Sequence, residues 1–317
     1  MYKVFVVILN WNGIKDTIEC LKSVRRLQIT NYKLQIIVVD NGSTDNSVEV
    51  LKKQKGTTLL ENKENLGFAG GNNVGMKYAV EHDADFILVL NNDTVVEENL
   101  IVHLVEAAEL DKKAGIFSPK IYFEKGFEHH KDQYVESEKG KVIWYVGGVM
   151  DWKNILGSNY GVDDVDVGQY QESREIDFAT GACMFIRRGV IEEVGFFDEK
   201  YFLYLEDADY SIHAKEAGWK VVFVPKAALW HKVSQSSGIG SELNDYYISR
   251  NRMLFGLKHA PIRSKLALIR ESLKILLNGR IWQKQGVKDF YSGIFGKGSY
   301  PSTPSASLRI NSLRTSK

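Results

Sequence analysis

Two short runs limit what this chain can fold into: VFVVIL at 4–9 and QIIVVD at 35–40. Each is an unbroken series rich in Val and Ile with no polar alternation, so each requires burial on both faces. Strands of that kind belong inside a parallel sheet covered by helices. Between them Ile14, Ile18, Leu21, Val24 and Leu27 recur at helical spacing, which predicts a helix from Lys15 to Leu27. A second helix is expected from Asn46 to Lys55, capped by Ser43 or Asp45, and a third from Gly75 to Glu81, before the strand Phe86 to Leu90. Strands alternating with helices over the first ~110 residues predict an α/β fold, mostly parallel in its central sheet, with helices on both faces.

The remainder is less regular. Residues 120–175, rich in Gly, Asp and Lys, are expected to form an irregular or antiparallel insert. Order resumes at IDFATGACMFIRR (176–188), in a helix near Glu206 to Ala217 and in the strand Lys220 to Val224. From 262 to 282, following Pro261, the chain has the pattern of a basic amphipathic helix, and the Ser/Pro-rich stretch 299–317 reads as disordered. The expected division is a catalytic domain at 1–235 that includes the insert, a basic helical extension at 236–298, and the tail.

Charge is divided unevenly. From Arg250 to Lys317 there are 14 Lys/Arg against 2 Asp/Glu, and in the rest 27 against 38. An acidic catalytic body with a basic surface element suits contact with an anionic membrane. Nucleic acid is not an expected partner, because no nucleic-acid-binding module is recognisable. Two cysteines, Cys20 and Cys183, supply neither a disulfide framework nor zinc-type spacing, which favours a reducing, cytoplasmic setting. The opening MYKVFVVILNWNG reads as a buried strand rather than a secretory signal, and no apolar run approaches the ~20 residues a spanning helix needs.

Several acidic residues stand where a parallel sheet presents its ligand site. Asp40 ends an apolar strand and runs into the turn Asn41-Gly42-Ser43-Thr44-Asp45; ligands of open α/β sheets bind at the carboxyl ends of strands. A carboxylate there accepts a base imide N–H or a ribose hydroxyl; the structural alternative is a helix cap. Asn91-Asn92-Asp93 ends a second such strand. Mg²⁺ or Mn²⁺ on a nucleoside diphosphate takes only one or two protein carboxylates, because phosphate oxygens and water complete the octahedron. The segment ENLGFAGGNN (64–73) has three glycines that allow close backbone approach to a ligand, yet it is neither a Walker loop nor a dinucleotide fingerprint.

Glu206-Asp207-Ala208-Asp209 places three carboxylates in four positions after the aromatic run Tyr201 to Leu205. Adjacent carboxylates repel, and apolar neighbours desolvate them, so one of the pair suits proton abstraction. A helix dipole accounts for acidic residues in a first turn, but not for the apolar approach to them. His231 follows an apolar strand and could complete a Mn²⁺ site as a neutral imidazole. Tyr246, Tyr247, Arg250 and Asn251 share one helical stretch, with Arg250 a candidate to neutralise a departing diphosphate.

In order, VVILNWNG (6–13), VVDNGSTD (38–45), ENLGFAGGNN (64–73), LNNDT (90–94), TGACMFIRR (180–188), GFFDEKYFLYLEDADYSIHAKEAGWK (195–220), PKAALWH (225–231) and YYISRNR (246–252) resemble the family 2 glycosyltransferases, in particular their rhamnosyltransferase-like branch. The resemblance spans roughly residues 4–258. It implies a GT-A fold with a C-terminal helical extension, a nucleotide-diphosphate-sugar donor such as dTDP-rhamnose or a UDP-hexose, a divalent metal, and inversion at the anomeric carbon. By position it implies that Asp40 meets the nucleobase with Asn10 and Asn12 nearby, and that Asn65, Gly70, Asn72 and Asn92 lie on the donor side. It further implies that Asp93 and His231 approach the metal, and that Asp207 is the base with Glu206 beside it. Asn91 departs from the pattern, standing where many relatives carry a first Asp. The implied acceptor is a glycan or lipid-linked glycan, reached from the cytoplasmic membrane face. Two rivals are a nucleotidyltransferase, whose GxGTRLxPxT-type opening is missing, and a silent nucleotide-sugar-binding module.

Overall fold

The Val/Ile runs become strands β1 (Tyr2–Asn10) and β2 (Tyr32–Asp40), paired in parallel from Tyr2–Tyr32 to Asn10–Asp40. The computed structural model describes residues 1–29, 32–233 and 240–301. Val4 to Ile8 and Ile37 to Val39 are fully buried, each such side chain contributing about 1.5–3 kcal/mol of burial. Around them the chain forms α1 (Ile14–Val24), α2 (Ser47–Leu51), β3 (Thr58–Glu61), α3 (Gly67–Glu81), β4 (Phe86–Asn91), β5 (Thr94–Val96), α4 (Leu100–Leu110) and β6 (Ala114–Phe123). The insert contributes β7 (Ile143–Tyr145), the hairpin β8 (Gly148–Asp151) with β9 (Leu156–Asn159), and β10 (Arg174–Glu175), all in antiparallel pairings. There follow β11 (Cys183–Arg187), α5 (Arg188–Val194), α6 (Glu206–Glu216), β12 (Lys220–His231), α7 (Glu242–His259), α8 (Ile262–Asn278) and α9 (Ile281–Tyr291).

The main sheet runs β10-β12-β6-β11-β4-β1-β2-β3, with β5 on β12 and β7 on β6. Strands β3, β2, β1 and β4 are parallel; β11 lies antiparallel between β4 and β6, and β6 runs parallel to β12. The last residues of β1, β2, β4 and β12, namely Asn10, Asp40, Asn91 and His231, therefore share one sheet edge. The segment leading into β11 reaches that edge as well, because Cys183 pairs with Leu90.

Four expected elements differ. The second helix stops at Leu51, and β12 continues past a register break between Val224 and Ala228 to His231. The third helix, expected from Gly75, starts at Gly67 and takes in most of the glycine-rich segment. Its glycines let the helix lie against the sheet, since a Cβ on Gly75 would sit 2.4 Å from Val7 Cγ1 and one on Gly71 2.5 Å from Leu9 Cδ1. The helix expected at 262–282 is two, broken where Gly279 and Arg280 turn extended and Arg280 N–H is taken by Gln283 Oε1. Of the tail, 302–317 lies outside the described residues. A second apolar core, including Phe178, Tyr201, Ile212, Met253, Phe255 and Leu268, joins the insert, α6, α7 and α8.

Candidate active site

The end of β1 and the turn after β2 are bound to each other. Asn10 Nδ2 donates to Asp40 Oδ2 (2.8 Å) and to Ser43 Oγ (3.1 Å), while Ser43 N–H donates to Asp40 Oδ1 (2.9 Å). Asn12, in the left-handed region at φ 52°, accepts the Thr44 and Asp45 N–H groups on Oδ1. Asp40 is 1% exposed with both oxygens engaged, so its carboxylate holds the 41–45 turn from beneath. Asn12, Thr44 and Asp45 are the exposed members of this group. Asn41, which the sequence did not single out, ties the same corner to the next segment: its Nδ2 donates to Asn65 Oδ1 and Gly67 O, and its Oδ1 accepts from Asn62 and Leu66.

At the end of β4, Asn92 Nδ2 donates to Thr17 Oγ1 (2.9 Å), and Thr17 donates to Asn10 Oδ1 (2.7 Å), so one hydroxyl links two strand ends. Asp93 Oδ1 lies 3.0 Å from His231 Nε2, brought there by the pairing of Thr94 with His231 across β5 and β12. His231 is buried, its ring edge-on to Trp144, and its Nδ1 has no hydrogen-bond partner. Among the described residues no cluster of three or more His, Cys, Asp or Glu would hold a metal by itself. One carboxylate and one imidazole facing each other do fit an ion that takes its other ligands from a diphosphate and water.

Asp207 occupies the first turn of α6. Its Oδ2 accepts the Gly181 N–H and its Oδ1 the Ala208 N–H, both at 2.8 Å. The next carbonyl, Ala182 O, accepts Asn91 N–H at 3.0 Å. The turn at 180–182 thus joins Asp207 to the strand end that carries Asp93. Gly181 has no room for a side chain, since a Cβ would lie 2.8 Å from the Phe68 ring.

Burial raises the pKa of both acidic neighbours. Glu206, 5% exposed and with Oε2 lacking a partner, is pushed well above the carboxylate range by burial and then by the charge of Asp207. Asp207 is also raised by burial, but the Gly181 and Ala208 N–H groups oppose the shift. Glu206 therefore takes the first proton of the pair, and Asp207 is the member that stays ionised. The third acid has a different task. For Asp209 burial is outweighed by His259, Lys258 and Tyr201, which donate at 2.8–2.9 Å and lower its pKa.

The loop into α6 is strained. Phe202, Tyr204 and Leu205 have φ of 62°, 70° and 70°, at a cost on the order of 1–3 kcal/mol each. Gly67, at φ 76°, leaves space for Phe202 O to accept the Phe68 N–H at 2.6 Å.

The structure corrects the expectation for Arg250. It is fully buried, and its guanidinium donates to Gly296 O, Lys200 O, Tyr201 O and Asn251 Oδ1 rather than facing a diphosphate. Asn72 is likewise buried inside α3, its Nδ2 on Phe68 O, and Gly70 packs against Leu66.

The description "Glycosyl transferase family 2" matches residues 5–195 of the chain. The chain belongs to that family. This glycosyltransferase is 27% identical over 218 residues to the N-acetylglucosaminyl-diphospho-decaprenol L-rhamnosyltransferase of Mycobacterium tuberculosis, covering 66% of this chain and 70% of that protein. Among solved structures it is similar to GalNAc-T7 with UDP, GalNAc and Mn²⁺ (TM-score 0.59, 17% identity, 92% of this chain and 58% of the other). It is also similar to S. aureus TarS in complex with UDP-GlcNAc (TM-score 0.57, 14% identity, 92% and 79%). The GT-A fold is thereby established.

Several partners in the glycosyltransferase site carried no sequence signal beyond their neighbourhood. Thr17, Asn41, Gly181 and Asn251 are small polar or glycine residues, each with a partner between 24 and 75 residues away. Only the motif order hinted at Gly181 and Asn251.

Proposed function

We propose that this glycosyltransferase moves a sugar, with inversion, from a nucleotide-diphosphate-sugar to a hydroxyl of a glycan or lipid-linked glycan. The observation that carries the reading is Asp207, half-buried and tied by Gly181 to the sheet edge that bears Asp93. Asp207 accepts the acceptor's proton as that oxygen attacks the anomeric carbon and the nucleoside diphosphate leaves on the opposite side. Glu206, holding its own proton, leaves Asp207 as the ionised member. Asp93 and His231 are the residues that would hold Mn²⁺ or Mg²⁺, which supplies charge neutralisation to the leaving diphosphate when bound. Asn12, Asn65 and Asn92 keep exposed surface and are assigned to donor contacts; Asp40, Asn10, Gly70 and Asn72 shape the same wall from behind.

The relative from M. tuberculosis, an N-acetylglucosaminyl-diphospho-decaprenol L-rhamnosyltransferase, supports an L-rhamnosyl donor, for which dTDP-L-rhamnose is the candidate beside UDP-hexoses, and a polyprenyl-diphosphate-linked acceptor. A donor panel scored by nucleoside-diphosphate release, with and without Mn²⁺ or Mg²⁺, tests this. Release from none of the donors in the presence of metal and a lipid-linked acceptor would refute it.

Helix α8 supports work at the cytoplasmic face of a membrane. It packs through Leu268 and Ser272, leaving Ile262, Leu266, Ile269, Leu273 and Leu277 exposed along one stripe. Arg263, Lys265, Arg270 and Lys274 flank them, a distribution suited to an anionic leaflet. No helix among the described residues is long and apolar enough to cross a membrane.

A further inference from the structure

Five consecutive carbonyls precede Asp207, from Lys200 to Tyr204, and all five find donors outside the loop. Lys200 O accepts from Arg250 Nη2 and from Gly296 N–H. Tyr201 O accepts from Arg250 Nη2 and Asn251 Nδ2, both at 2.9 Å. Phe202 O takes the Phe68 and Ala69 N–H groups of α3. Leu203 O and Tyr204 O both accept from Asn251 Nδ2, at 2.7 and 2.9 Å. Three residues of this stretch and its end, Phe202, Tyr204 and Leu205, sit in the left-handed region without being glycine. Such backbone persists only where surrounding groups over-determine it.

Arg250 also fixes the orientation of its neighbour. Its Nε donates to Asn251 Oδ1 at 3.0 Å, which turns Asn251 Nδ2 toward the carbonyls. Both side chains are completely buried. A third support comes from the C-terminal segment. Arg250 Nη1 donates to Gly296 O at 2.7 Å, and Tyr247 Oη donates to Lys297 O at 2.9 Å. Gly298, at φ 62°, has no room for a side chain, because a Cβ would fall 1.9 Å from Tyr246 Oη and 2.7 Å from Arg250 Nη1.

We infer that Arg250 and Asn251 are positioning residues for glycosyl transfer, setting Asp207 through the 200–205 loop, with the Gly296–Gly298 segment as the strap that holds Arg250 in place. The inference rests on Asp207 being the base. It assigns α7 a task in catalysis from which its side chains are hidden, and it links the helical extension to the chemistry on the sheet. Donor binding, which lies at the ends of β1, β2 and β4, is left outside their influence.

The sharpest variant is Asn251→Asp in the full chain, nearly the same shape but unable to donate to the three carbonyls. A displacement of the base of even an ångström predicts a fall in kcat of about 100-fold with donor KM changed less than about threefold. The acid limb of the pH–rate profile moves with it, as Asp207 loses the Gly181 N–H. Arg250→Lys, which keeps the charge but not the fork, gives an intermediate loss. Gly298→Ala approaches from outside the site and lowers kcat in the same direction, by about 10-fold, should Asn251→Asp fail to fold. Hydrogen exchange of the 201–209 amides is measured on the same proteins, with each variant expected to exchange faster there. Should the wild-type chain transfer no sugar, the functional reading fails and exchange alone decides the inference. Unchanged exchange at 201–209, or a kcat within twofold of wild type with the same pH profile, would overturn it.

Discussion

The main-chain N–H of Gly181 lies 2.8 Å from Asp207 Oδ2 and holds that carboxylate at the edge of the central sheet. A side chain at 181 would strike the Phe68 ring and come within 3.7 Å of Asp207 Cβ. Gly181→Ala should therefore lower kcat by about 10- to 100-fold through misplacement of the base, with donor KM little altered. Steady-state kinetics on folded protein checks this; a KM effect alone would place Gly181 in donor binding instead.

Glu206 and Asp207 should answer differently to loss of charge. Burial raises the Glu206 pKa, so the folded chain binds that proton more tightly than the unfolded chain. This contributes stability below the ordinary Glu range, and the contribution is lost as pH rises from the unfolded toward the folded value. Glu206→Gln removes the penalty of burying a charge. Its Tm should exceed that of wild type by about 2–4 °C at about pH 8, with a smaller gain at about pH 5. Calorimetry over that range measures it, and transfer at neutral pH should be largely retained.

Asp209 shows the opposite sign. Its lowered pKa contributes stability above the ordinary Asp range, lost as pH falls through the folded value. Asp209→Asn leaves Lys258 and His259 without their buried partner, which should destabilise the fold by about 3 kcal/mol, read from urea denaturation at neutral pH.

The proposed metal dependence centres on Asp93 and His231, 138 residues apart in sequence and 3.0 Å apart in space. Chelation should stop nucleoside-diphosphate release, and Mn²⁺ or Mg²⁺ should restore it. His231→Ala should raise the metal concentration for half-activity by about 10- to 100-fold. Full activity in excess chelator would remove the metal from the account.

For α8, the wild-type chain should float with phosphatidylserine-containing liposomes at physiological salt, and the double change Leu266→Glu, Leu273→Glu should not. Both positions are more than half exposed, so stability should be unaffected. Failure of the wild type to float would refute membrane docking.

Much of this was written in local pattern. The buried runs of β1, β2 and β4 end abruptly in Asn10, Asp40 and Asn91, so period and polar stop together located the sheet edge. The start of α3 was placed too late because glycine disfavours helix, and only the close approach of Gly71 and Gly75 to β1 made a helix the better choice from Gly67. Arg250 sits beside two tyrosines on α7, a spacing that fits a surface face as well as a buried one. Its burial follows from the carbonyls of 200 and 201, which no local pattern reveals. The stripe of α8 was legible, but its exposure depended on Leu268 and Ser272 being the residues that pack. Asp93 and His231 meet only through the register of β12 beyond its break at 224–228.

The central claim is that Asp207 takes the acceptor's proton. Asp207→Asn keeps the size of the side chain and an acceptor oxygen for Gly181, but it cannot act as that base. Transfer by this variant, with donor affinity measured separately by titration calorimetry, should fall by about 10²- to 10⁴-fold while donor binding stays within a few-fold of wild type. Transfer near the wild-type rate by folded, donor-binding Asp207→Asn would contradict the account.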